Sequence, residues 1–170
     1  MKLKALILSL LIITSCGIKI DSVYDESRSQ QPYSNTLIVL PHDNKWTKRY
    51  SKNLESNLAT KLEGKNVEFL VIENNEEELT LSKDNKLNSE ISKILEKDQK
   101  DLILYCTYNS LSYSNGRMIY GEFEINGFDV KENKEVWKAQ YKMNTTMNPR
   151  RFAKKTSEVI AKKLKEDKMI

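Results

Sequence analysis

Thr36-Leu37-Ile38-Val39-Leu40-Pro41-His42-Asp43-Asn44-Lys45-Trp46 is the stretch from which the rest of the chain can be read. Leu37 to Leu40 is wholly apolar, too short for a helix and stopped by Pro41, which predicts a buried strand. Asp43 or Asn44 then offers a side-chain oxygen to the free N–H groups of a helix start. Trp46, Tyr50, Leu54, Leu58 and Leu62 recur every four residues with charged residues between them, so they make one apolar stripe. Gly64 can adopt the left-handed conformation that closes such a helix. A buried strand leading into an amphipathic helix sets the expectation of an α/β unit.

Toward the C-terminus the same alternation continues. Residues 67–72 predict a second apolar strand, and residues 73–86 an acidic surface loop that includes Glu76-Glu77-Glu78. Leu87, Ile91, Ile94 and Leu95 predict a shorter helix, and residues 102–108 a third strand. Residues 109–117 predict a polar loop ending in the turn pair Asn115-Gly116. The period then changes to two. Ile119, Phe123 and Ile125 oppose Glu122, Glu124 and Asn126, and later Trp137, Ala139, Tyr141 and Met143 oppose Lys138, Gln140 and Lys142. That pattern is a hairpin with one wet face, for which Asn133 supplies the left-handed turn residue. Asn148-Pro149 reads as the cap and first residue of a last helix, with Phe152, Thr156, Val159, Ile160 and Leu164 as its buried stripe.

The order β-α-β-α-β-β-β-α predicts a single α/β layered domain. Its mixed sheet has about five strands, with helices packed on it and unevenly distributed between its faces.

Toward the N-terminus, residues 17–35 are polar and carry little apolar period, which predicts a flexible tether. Ahead of them, Lys2 and Lys4 precede an apolar run over residues 5–13, the pattern of a secretory signal and too short for a bilayer crossing. Ile13-Thr14-Ser15-Cys16 resembles the lipobox of bacterial lipoproteins: aliphatic, small, small, cysteine. The resemblance implies cleavage after Ser15 and acylation of Cys16, with palmitate among the expected chains. It also implies attachment to a membrane outside the cytoplasm, and Gly17 in place of an aspartate points to the outer membrane where there are two. The expected division is therefore a signal peptide at 1–15, a lipidated cysteine and tether at 16–35, one domain at 36–166 and a tail at 167–170.

Removing Lys2 and Lys4 from 28 basic side chains leaves 26 against 24 acidic ones, a net charge of +2. Such a balance lacks the basic excess of a nucleic-acid binder. With Cys16 acylated, Cys106 is the one thiol left, so no internal disulfide is expected, and its apolar surroundings predict a buried structural thiol.

The element order behind a lipobox resembles a group of small envelope lipoproteins and domains. They are the TolB amino-terminal domain, the penicillin-binding-protein activators and the periplasmic domain of the curli secretion channel. The hairpin Asp129-Val130-Lys131-Glu132-Asn133-Lys134-Glu135-Val136-Trp137 is similar to theirs residue by residue, with Asn133 where a glycine is usual. The resemblance implies a non-enzymatic accessory or assembly factor that binds another envelope protein. The alternative is a small-ligand or glycan-binding lipoprotein using the loops at the strand ends.

Candidate chemistry is sparse. His42 is the sole histidine, the glycines form no phosphate loop, and no nucleophile elbow is present, so neither an enzyme nor a cofactor is expected. His42 and Tyr113, both placed in loops, are candidate interface residues. Asp21-Ser22-Val23 resembles an O-glycosylation sequon of exported bacterial proteins, with Ser22 as the acceptor. The last helix is strongly basic, which reads either as attraction to anionic lipid or as a solvated face.

Overall fold

The computed structural model describes residues 18–27, 31–73, 89–115, 117–143 and 147–170. Its elements are β1 (Ile20–Tyr24), β2 (Asn35–His42), α1 (Lys45–Lys61), β3 (Asn66–Glu73), α2 (Ser89–Lys97), β4 (Leu102–Ser114), β5 (Arg117–Asp129), β6 (Lys134–Met143) and α3 (Pro149–Glu166). They build one mixed sheet in the order β1-β6-β5-β4-β2-β3. β2 lies parallel to both β3 and β4, and the other pairs are antiparallel. The α/β reading of the sequence therefore holds, with six strands rather than about five.

The strand parities decide where the helices sit. Ile38, Leu40, Leu102, Leu104, Cys106, Phe123, Ile125, Trp137, Ala139 and Tyr141 point to one face, where α1 and α3 cover them in a single buried cluster. Leu37, Val39, Ile103 and Tyr105 point to the other face and meet Ile91 of α2. Nothing described covers that second face over β5 and β6, where Lys138 pairs with Glu124 at 2.7 Å and Lys142 with Glu122 at 2.6 Å. The main core is aromatic at its centre. Phe123 and Tyr141, paired across β5 and β6, stack with ring centroids 5.0 Å apart, and Phe123 lies 5.4 Å from Tyr50 and 5.1 Å from Phe152. The buried Tyr50 hydroxyl is paired with that of Tyr141 at 2.8 Å and donates to Thr156 Oγ1 at 3.2 Å.

Five expectations need correction. Residues 20–24, expected within a flexible tether, form the edge strand β1 on β6. Their strand lacks an apolar run of its own and is held instead by a partner far away in sequence. Ser22 Oγ donates to Asp167 Oδ2 at 2.6 Å, and the buried Trp137 Nε1–H donates to the same oxygen at 2.8 Å. The tail at 167–170 is accordingly part of the core, with Met169 fully buried and Ile170 nearly so. Residues 109–114, expected within a polar loop, are strand. β4 and β5 continue as a paired arm to Ser114 and Arg117, and Asn115 (φ 49°) makes the turn. Along this arm Ile119 has no opposite residue in the ladder, and the bulge reverses the parity. Met118 becomes buried and Ile119 exposed, the opposite of simple alternation. Finally, β2 passes through Pro41 to His42. Only β3 pairs with it there, since β4 pairs with residues 36–39 alone, so a residue without an N–H is tolerated.

Candidate functional site

α1 and α3 both begin beside the β4–β5 arm. Asn44 caps α1, accepting from Trp46 N at 2.8 Å and Thr47 N at 3.0 Å, while Thr47 Oγ1 accepts from Asn44 N in return. Asn148 caps α3, accepting from Arg151 N at 2.8 Å, with Pro149 next. Tyr113 ties the arm to the start of α1, its hydroxyl accepting from Asn44 Nδ2 at 2.9 Å.

Between these starts lies a cleft of about 510 Å³ lined by Lys45, Trp46, Arg49, Arg117, Met147, Asn148 and Pro149. Three of the seven lining residues are cations and none is an anion. Past Asn148 it adjoins a second hollow lined by Asn57, Arg150, Arg151 and Lys154. None of these six cations enters an ion pair among the described residues. The arrangement runs against local preference. Neither helix has an acidic residue in its first turn, and cations there oppose the helix dipole by about 0.3–1 kcal/mol each. Trp46 is half-buried and held in place, with its ring 5.6 Å from that of Tyr50 and 6.0 Å from that of Phe152. A fixed indole beside uncompensated cations can receive a ligand with a flat apolar face and anionic substituents.

The candidates read from the sequence fall around this cleft or away from it. His42 ends β2 with 7 % exposure and offers little surface to a partner. Burial pushes its imidazole below the ordinary value; Lys48 acts in the same direction, and Glu73 and Asp43 oppose it. Tyr113 is 41 % exposed and reaches the α1 cap. Ser22 lies on β1, partly buried and engaged by Asp167, so it is less accessible than a serine in a free tether. Cys16 and Glu76-Glu77-Glu78 lie outside the described residues. Burial pushes the Cys106 thiol up to about 12.

The basic last helix divides in two. Its C-terminal cations are engaged: Lys162 with Glu166, Lys163 with Asp167, and Lys165 with the Lys61 carbonyl. Arg150, Arg151 and Lys154 at the other end line the second hollow. The cleft itself was not read from the sequence, because Arg117 joins α1 only after the β4–β5 arm has formed. Among the described residues no three His, Cys, Asp or Glu side chains converge as metal ligands, and no helix is long and apolar enough to cross a membrane.

No family model matches the chain, and no curated protein matches it in sequence. Solved structures do resemble it. The PelC dodecamer from Paraburkholderia phytofirmans superposes with a TM-score of 0.52 at 13% identity, covering 90% of this chain and 99% of that one. A single-substitution variant of the same protein, in another crystal form, gives 0.50 at 12% identity over 89% and 98%. At such identities the likeness is one of fold, and it runs nearly the full length of both chains.

Proposed function

We propose that this chain is a lipid-anchored, non-enzymatic accessory protein of the cell envelope, working outside the cytoplasm beside another envelope component. The observation that carries the reading is the near end-to-end match to the PelC fold, joined here to a segment resembling a lipobox at Cys16. PelC forms a dodecamer, and the proposal extends to assembly of several copies of this chain. The open outer edges of β1 and β3 among the described residues support that extension. Metabolic labelling with radioactive palmitate tests the anchor: the native protein takes up label and partitions with membranes, and Cys16→Ala abolishes both. Label retained by Cys16→Ala refutes the anchor. A monomer in neutral detergent, by light scattering and crosslinking, refutes the assembly.

The cleft favours a second reading, in which the same domain holds a small ligand or glycan. Its cations and fixed indole are the supporting observation. Titration of the full chain with saccharides tests it.

A further inference from the structure

The cleft between α1, α3 and the β4–β5 arm combines three features with different ligand preferences, and one class of ligand satisfies all three. Lys45, Arg49 and Arg117 supply positive charge without a counter-ion among the described residues. The guanidinium groups suit planar oxyanions, carboxylates above all, because their N–H groups can bind both oxygens at once. Trp46, with Met147 and Pro149, supplies an apolar wall, and the ring is immobilised by Tyr50 and Phe152. A free phosphate or sulfate has no use for that wall. A bilayer is planar, whereas the cations and the indole here line a recess. A pyranose ring presents a flat C–H face to an indole and, in a uronic acid, a carboxylate at its rim. The second hollow, with Arg150, Arg151 and Lys154, repeats the positive charge beyond Asn148.

We propose that this paired cleft binds an acidic polysaccharide, a chain of carboxylated sugars, with one residue on Trp46 facing Lys45, Arg49 and Arg117 and the next facing Arg150, Arg151 and Lys154. The proposal rests on the ligand reading of the domain and names its ligand class. It is independent of the lipid anchor.

The protein carries its own reporter. Of its two tryptophans, Trp137 is 1 % exposed, so a ligand that changes the emission does so through Trp46. Full chain in neutral detergent is titrated with oligogalacturonate, with maltooligosaccharide of equal length, with inorganic sulfate, and with vesicles of phosphatidylglycerol in phosphatidylcholine. Oligogalacturonate is expected to shift the Trp46 emission and to weaken with added salt. The double variant Arg49→Gln, Arg117→Gln, both residues being exposed, is expected to keep the melting temperature and bind roughly tenfold less tightly. Equal binding by the double variant overturns the assignment of the cleft. Binding of maltooligosaccharide in place of oligogalacturonate overturns the acidic class while leaving the ligand reading standing. Response to sulfate as strong as to oligogalacturonate reduces the cleft to an anion sink, and response to vesicles alone makes it a membrane contact; either overturns the proposal. No binding of any probe overturns both readings.

Discussion

Replacing Asp167 with alanine should loosen the domain far more than an ordinary change so near the end of a helix. The carboxylate accepts from Trp137 Nε1 at 2.8 Å and Ser22 Oγ at 2.6 Å, and pairs with Lys163 at 3.1 Å. Trp137 is 1 % exposed, so losing its acceptor leaves a buried N–H unsatisfied, at about 1–3 kcal/mol. The half-buried Ser22 bond adds about 1 kcal/mol, and the Lys163 pair about 0.5 kcal/mol. Because the three share one carboxylate they do not add fully, and about 3 kcal/mol is expected. For a domain of this length that is a drop in melting temperature of roughly 6–12 °C. Thermal unfolding by circular dichroism checks it, and amide exchange should show Ile20–Tyr24 losing protection before the central strands. Asp167→Asn keeps one acceptor for Trp137 and should cost about half as much. The pH dependence has a defined sign. Burial pushes the Asp167 carboxyl up, but the bonds from Ser22, Trp137 and Lys163 outweigh it, and its folded value lies below the ordinary 3.8. Its contribution is therefore complete above 3.8 and fades as pH falls through the lower folded value, so Asp167→Asn and the parent should converge in acid. A loss under about 0.5 kcal/mol for Asp167→Ala, or unchanged exchange in β1, would refute the role given to this carboxylate.

Glu124, resisted by burial yet held at about 2 by Lys138, Gln140, Asn126 and Asn109, should contribute stability that is complete above 4.5 and lost toward pH 2. Glu124→Gln should flatten that acid limb in urea titrations, and an unchanged limb counts against it. Tyr50→Phe removes two buried hydroxyl bonds and should cost about 1–2 kcal/mol in urea unfolding while leaving oligogalacturonate titrations unaltered. In Cys16→Ala, Cys106 should react with Ellman's reagent only after denaturation, and rapid reaction of the native protein would contradict its burial. A fragment of residues 36–166 lacks β1, Asp167, Met169 and Ile170. It should unfold well below the full chain, by more than Asp167→Ala alone, since each lost apolar side chain costs about 1.5–3 kcal/mol of burial.

The legible parts of the fold were those whose partners are close in sequence. The stripe from Tyr50 to Leu62, the turn at Asn133 (φ 50°) and the Asn148-Pro149 start each follow from spacing a few residues long. β1 was illegible because Ser22 at its centre finds its partner at Asp167, and no local pattern announces a bond of that reach. Residues 109–114 look like a loop because the arm runs past the helices, so its strand is polar and exposed along much of its length. Lys100 is buried in a sequence that gives no sign of it, paired with Asp98 at 2.7 Å and Glu68 at 2.8 Å. The cleft hid for a related reason. Its cations come from two elements far apart in sequence, Lys45 and Arg49 from α1 and Arg117 from β5, and those of the adjoining hollow come from α3.

The hold of Asp167 on β1 also sets a length. With the lipid on Cys16, as proposed, a freely extended tether reaching to Asn35 would let the domain wander about 65 Å from the membrane surface. Pinning Ile20–Tyr24 to β6 leaves only the residues between Cys16 and Ile20 as leash, at most about 14 Å. On that anchor the β1–β6 edge would be the side turned toward the lipid, and a partner would be met close to the bilayer. The Ser22–Asp167–Trp137 contact, together with the β1–β6 ladder, would then act as a stay that sets working height, and release of β1 would lengthen the reach more than fourfold without altering a residue of the cleft.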